Sequence, residues 1–236
     1  MNVEMDNRLG EIRRRMEQAC ERAGRDPATV QLLAISKTQG PEAIVDAVQL
    51  GVTQFGENKV QEARQKIPQS PSAAKWHFVG HLQTNKAREA VRLFEMVHAV
   101  DSLKLLETLD RVCQEEGRTL PVCLEVNVSG ERSKFGLPPE EVPLVLKASQ
   151  ALFRVRIVGV MTIPPIAEDP EEARPFFRRL RELRDRWQSE SGILLPELSM
   201  GMSHDFEVAI EEGATWIRVG TLLFGERRKV VNDESA

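Results

Sequence analysis

A lysine closes an apolar run in "LLAISKTQG", residues 32–40. Leu32 to Ile35 read as a buried strand, which delivers Ser36 and Lys37 just before Gly40 and Pro41 break the chain. Two chemistries suit a lysine so placed. It can lie along the rim of the fold with its ammonium paired in water. It can instead be a Schiff-base amine, because burial or a neighbouring cation favours the uncharged form that attacks an aldehyde. The C-terminal "WIRVGTLLFGER" adds weight to the second chemistry. Gly220 and Thr221 stand where a strand gives way to a short helix, and backbone N–H groups exposed there suit a phosphate. "LSMGMSHD" supplies Ser199 and Ser203 as hydroxyl donors, while Gly201 lets backbone approach closely. Arg218 shares a strand face with Gly220, although alone it reads equally well as a salt-bridge residue. Asp205 has the place of an N-cap.

Other polar residues fall at expected strand ends: Glu57 and Asn58 of "FGEN", Gly80 and His81, Asp101, Asn127, and Met161 with Thr162. His77 and His98 lie inside strands and read as packing, with no Cys or His partner at ligand spacing. No metal site is expected. His81 is the histidine that could face the site, in a structural or supporting role. Lys134, in "GERSKFG", follows the fifth strand as a loop lysine near the same mouth.

The elements that must position these residues alternate. Strands are expected over 31–36, 52–55, 76–79, 96–100, 122–127, 157–161, 197–200 and 216–219. An amphipathic helix over 5–23 precedes them. Helices over 41–50, 58–67, 84–94, 102–116, 138–151, 171–189 and 205–212 lie between or after them, with a last turn at 222–224. Gly51, Gly117 and Gly213 mark helix stops. Eight strand–helix units in about 210 residues fit a closed (β/α)₈ barrel, with a doubly wound open sheet as the alternative. Active groups of such a barrel gather at the C-terminal ends of its strands. No linker or shift of composition divides the chain, so one domain over residues 1–228 is expected, with a short tail at 229–236.

Composition narrows the partners. The 236 residues are 41% apolar and 29% charged, ordinary for a globular chain. A net charge of −4 leaves no basic excess for nucleic acid. The arginines between Arg174 and Arg186 share their helix with Ala173, Phe176, Phe177, Leu180, Leu183 and Trp187, whose spacing makes the buried stripe and leaves the arginines a solvated face. Cys20, Cys113 and Cys123 show no pairing pattern, as in a reducing compartment. The N-terminus lacks the apolar core of a secretory signal, and no stretch reaches membrane-spanning length. A cytoplasmic protein without membrane contact is expected.

Taken together, "LLAISKTQ", "FGENKVQEA", "WHFVGHLQTNKAR", "SKFGL", "GVMTI" and "ELSMGMSHDFEVAIEEGATWIRVGTLLFG" closely resemble the pyridoxal phosphate homeostasis proteins, which are similar to the N-terminal barrel of alanine racemase. The resemblance runs from about residue 5 to residue 228. It implies a fold-type III barrel in which Lys37 holds pyridoxal 5′-phosphate as an internal aldimine. It also implies that Ser203, Gly220 and Thr221 hold the phosphate, with Ser199 nearby, Arg218 beside the ring or phosphate, and Asn58 lining the pocket. A guanidinium near the ring nitrogen opposes its protonation and weakens the ring as an electron sink. His204 fills a variable slot between Ser203 and Asp205. The family is described as buffering the cofactor or delivering it to apo-enzymes, without established catalysis.

A two-base racemase of this kind takes its second base from a tyrosine on a further domain, and this chain has no tyrosine. The expected function is therefore a monomeric cofactor carrier in vitamin B6 homeostasis, in which Lys134 helps the cofactor enter or leave. The alternatives are a racemase-like enzyme using Lys37 with another base such as His81, a Schiff-base aldolase without cofactor, and a regulatory protein that reports cofactor status.

Overall fold

Strands covered by helices outside and by side chains inside must be apolar on both faces. β4 (Met96–Val100) and β8 (Trp216–Val219) are buried at every residue and apolar at all but His98 and Arg218. With β1 (Gln31–Ile35), β2 (Gln54–Glu57), β3 (Lys75–Phe78), β5 (Leu120–Glu125), β6 (Val155–Met161) and β7 (Glu197–Met202), they form a closed parallel barrel in chain order. β1 pairs with β8 to shut it. The computed structural model describes residues 2–131 and 134–225, so the tail read at 229–236 lies outside the described residues.

The outer layer is α2 (Pro41–Gln49), α3 (Val60–Lys66), α4 (Ala87–Leu93), α5 (Leu103–Glu115), α6 (Val142–Ser149), α7 (Arg174–Ser191) and α8 (Phe206–Glu211). The last helix, α9 (Thr221–Phe224), is too short to cover β8. α1 (Val3–Arg22) supplies the missing cover by packing on α8 and α9. Its Met5, Leu9, Ile12, Met16 and Ala19 make the buried stripe, and Arg15 pairs with Glu207 of α8 at 2.7 Å. α5 begins with the Ser102 hydroxyl accepting from Leu105 N and buries Leu105, Leu106, Leu109, Val112 and Cys113 along one face, together with Asp110. The Asp110 carboxylate accepts from the backbone N–H groups of residues 153 to 155, which fixes the entry to β6.

Three differences from the sequence reading matter. Val52 is buried in a turn, where its N–H bonds to Ala47 O, so β2 runs later than expected and ends on Glu57. β5 begins earlier, at Leu120, and ends on Glu125, because the N–H of Asn127 turns aside to Leu137 O. The arginines of α7 are also not simply solvated. Arg174, Arg178 and Arg181 converge on the nearly buried Glu212 after α8, clamping the two helices.

Candidate functional site

The corner that carries Lys37 is held from behind by another lysine. Lys66 of α3 is 5% exposed and donates to Ser36 O at 2.7 Å, to Glu57 Oε1 and to Glu62 Oε1 at 3.2 Å. The Ser36 hydroxyl also donates to Glu57 Oε1, at 2.6 Å. On the other side of Lys37, Thr38 N donates to Glu62 Oε1. Thr38 has φ 67°, a left-handed conformation that a β-branched residue seldom adopts unless its surroundings impose it. Residues 36 and 38 are thus fixed to one buried charge cluster while Lys37 between them is half-buried and lines a cavity. Burial pushes the Glu57 carboxyl up, against the pull of Lys66 and Ser36.

The opposite arrangement holds Arg218, 4% exposed on β8. Its Nη1 donates to Ser199 Oγ at 3.0 Å and its Nη2 to Thr162 O at 2.9 Å. Ser199 Oγ lies 2.8 Å from His98 Nδ1, and His98 Nε2 lies 2.9 Å from His77 Nδ1. A bond from β4 to β7 can only cross the barrel interior, so this chain of neutral groups threads the core. Burial pushes His77 down to about 4 and His98 well below the usual imidazole range, so both rings are neutral near pH 7. Burial also pushes Arg218 down to about 10, which leaves it charged at neutral pH.

Lys37 and Arg218 face one cavity of about 460 Å³ at the C-terminal ends of the strands. Asn58 also lines it, with its Oδ1 buried and without a hydrogen bond among the described residues. The backbone of Asn58 comes so close to Gly80 that a Cβ there would stand 2.3 Å from Asn58 O. On the phosphate side predicted from sequence, Gly220 N donates to Ser203 Oγ at 3.3 Å, and Thr221 joins them on the wall. The far wall carries Glu125, Ile163, Phe135 and His81. His81 Nδ1 is 2.8 Å from Asp101 Oδ2 and its ring stacks on Phe135 at 4.1 Å.

Six of the seven predicted residues therefore meet in one cavity: Lys37, Asn58, Ser203, Arg218, Gly220 and Thr221. Ser199 does not line it. It is fully buried behind Arg218 and touches the site only through that guanidinium. Gly201 makes its close approach to α8, where a Cβ would meet Ala209 Cβ at 2.5 Å. Asp205 turns its carboxylate back to Met202 N at 2.6 Å and makes no side-chain cap bond to α8. Asn127 closes its own turn through Ser129 and Gly130. His204 lines the cavity rim and bonds Glu168 O, and Lys134 ties its loop to Pro164 O at 3.3 Å. Lys66, Glu125 and the His77–His98 pair escaped the sequence reading of the site. Glu125 becomes visible only once β5 is seen to end there, and the histidines only once alternation is read across neighbouring strands. Among the described residues no group of acids, histidines or cysteines could hold a metal ion.

The chain is similar to known proteins over nearly its whole length. The family model for the alanine racemase N-terminal domain matches residues 8–228. The pyridoxal phosphate homeostasis protein of Aquifex aeolicus is 46% identical over 222 residues, covering 94% of this chain and 97% of its own. That of Pseudomonas aeruginosa is 43% identical, covering 93% and 94%. PipY of Synechococcus elongatus, solved with PLP bound, superposes with a TM-score of 0.82 at 40% identity over 94% of this chain and all of its own. An alanine racemase of Clostridium difficile, 11% identical with a TM-score of 0.77, shares the fold and covers 97% of this chain but 58% of its own. The chain belongs to the pyridoxal phosphate homeostasis protein family, built on the alanine racemase N-terminal barrel.

Proposed function

We propose that this protein holds pyridoxal 5′-phosphate on Lys37 through a Schiff base and buffers it or delivers it to apo-enzymes, without turning over a substrate of its own. The observation that carries this reading is the meeting of Lys37 with the buried Arg218 guanidinium in one cavity. Arg218 has no carboxylate within hydrogen-bonding distance among the described residues, only neutral acceptors, so its charge calls for an anionic or electron-rich ligand. The orphaned Asn58 Oδ1 points to the same need for a polar occupant. Bound there, the cofactor supplies an aldehyde that condenses reversibly with an amine, and an electron-poor ring.

The residues then divide the work. Lys37 forms the covalent link, and Lys66 with Glu57 and Glu62 holds its backbone in place. Ser203, Gly220 and Thr221 take the phosphate. Arg218 faces the ring or phosphate, and Ser199 fixes Arg218. Asn58 fills the remaining polar contact. A cytoplasmic monomer passing its cargo to recipient enzymes accords with a relative named for homeostasis.

The absorption spectrum of the protein mixed with pyridoxal phosphate tests the link. The wild type is expected to show a Schiff-base band that borohydride abolishes with covalent retention of the ligand. Lys37→Ala is expected to lose both. A band of full intensity in Lys37→Ala would overturn the assignment, and amino acid racemisation dependent on Lys37 would overturn the carrier role.

A further inference from the structure

The cavity has two walls of opposite character. Lys37 and Arg218 stand on the side of β1 and β8, and Glu125 stands at the end of β5. In a closed barrel of eight strands in chain order, β5 lies directly across from β1, so Glu125 faces Lys37 over the mouth. Its side chain is 6% exposed, and what is exposed lines the cavity. Among the described residues its carboxyl oxygens make no hydrogen bond. The titratable and charged groups around it are Asp101 after β4, Arg218 on β8 and His81 after β3, and none is bonded to it. Burial, with Asp101 beside it, pushes the carboxyl up to about 7.

The backbone has been shaped around this group. Leu137 N donates to Glu125 O at 2.7 Å, which brings Gly136 over the side chain. Gly136 has φ +110°, and a Cβ there would stand 3.3 Å from Glu125 Cγ and 2.8 Å from Asn127 N. Phe135, stacked on His81, roofs the same wall. A buried carboxyl that opens on a cavity, lacks a partner among the described residues and sits near a second acid is matched by a small cation carrying N–H donors.

We propose that Glu125 marks a subsite for the ammonium group of a small primary amine, across the barrel mouth from Lys37. This rests on the reading that Lys37 carries an aldehyde, and it gives that reading a route for release. As the carbon–nitrogen double bond to the incoming nitrogen forms, the one to Lys37 Nζ breaks. Of the three protons on the ammonium, one passes to the Glu125 carboxylate and two end on Lys37 Nζ. No oxidant, reductant or water is consumed. The cargo would leave as an amine adduct, and the class of reaction that supplies the trigger is one that produces primary amines or amino acids.

Two measurements test the subsite, one without the cofactor. In cofactor-free protein with labelled glutamate carboxyl carbons, methylammonium chloride is expected to move the Glu125 resonance saturably, while tetramethylammonium chloride at equal ionic strength is not. In protein loaded with pyridoxal phosphate, the rate of loss of the Schiff-base band is expected to saturate with methylamine. Glu125→Gln is expected to raise the half-saturating concentration at least tenfold, and Glu125→Asp to recover part of it. An unmoved Glu125 resonance, or linear rates identical in wild type and Glu125→Gln, overturns the subsite and leaves Lys37 untouched. A shifted resonance in a protein that forms no Schiff-base band leaves the subsite standing and overturns the role of Lys37.

Discussion

Lys66 and Arg218 are both about 95% buried cations near one cavity, yet they are held in opposite ways. Lys66 sits between Glu57 and Glu62 and a backbone carbonyl, with its charge answered inside the protein. Arg218 is bonded to a hydroxyl and a carbonyl, and beyond them to two neutral imidazoles. A cation paired at home holds structure, and a cation left with neutral partners is available to a ligand. The lysine that does chemistry in this reading is neither of these. Lys37 is free to point into the cavity because Lys66 has taken the buried position behind it.

That contrast can be broken in several places. The largest effect is expected for Lys66→Met, which strands the Glu57 carboxylate in the interior. Urea denaturation should show a loss of about 3–5 kcal/mol. A loss under 1 kcal/mol would mean the cluster does not hold the corner. Glu125 tests the opposite wall through pH. Its carboxyl keeps its proton in the folded protein up to about 7 and loses it near 4.5 when unfolded. The stability it contributes is therefore full below pH 4.5 and is lost as pH rises to 7. Relative to Glu125→Gln, wild-type stability should fall by about 2–3 kcal/mol between pH 5 and pH 8. A pH-independent difference would show a carboxyl that ionises as in water.

Arg218→Met should weaken pyridoxal phosphate binding about 10- to 100-fold, the worth of one charged hydrogen bond, in an equilibrium titration. The same variant should leave the cofactor-free protein within about 1 kcal/mol of wild type, because no internal ion pair is lost. Equal damage to both would put Arg218 with Lys66 as a structural cation. Ser199→Ala is expected to do least: about 1 kcal/mol of stability from a buried hydrogen bond, with a smaller loss of affinity than Arg218→Met.

Much of this site was legible because barrel chemistry is confined to strand ends, and strand ends follow apolar runs. Lys37, Ser203, Gly220 and Thr221 each follow such a run and were found by that rule. Glu125 was missed because Val126 and Val128 continue the apolar pattern past the true end of β5, where the backbone leaves the ladder for Leu137. Ser199 was placed in the pocket because its type suits a phosphate, and type does not report which side of a strand faces the ligand. The α7 arginines were assigned to solvent because helical periodicity cannot see Glu212 approaching from α8.

The sequence by itself determined the alternation of strands and helices, the parallel pairing that alternation implies, and the amine and glycines that point to a phosphorylated aldehyde. Those features are local, since period, caps and turns are written in neighbouring residues. The closure of the sheet into a barrel came from the pairing of β1 with β8. Only the tertiary structure decided which buried cation is paired and which is left open, and which acid faces Lys37. Burial and pairing are relations between residues far apart in the chain: Arg218 meets Thr162 and Ser199, Lys66 meets Ser36, and Glu125 is set opposite Lys37 by the closure of β1 on β8.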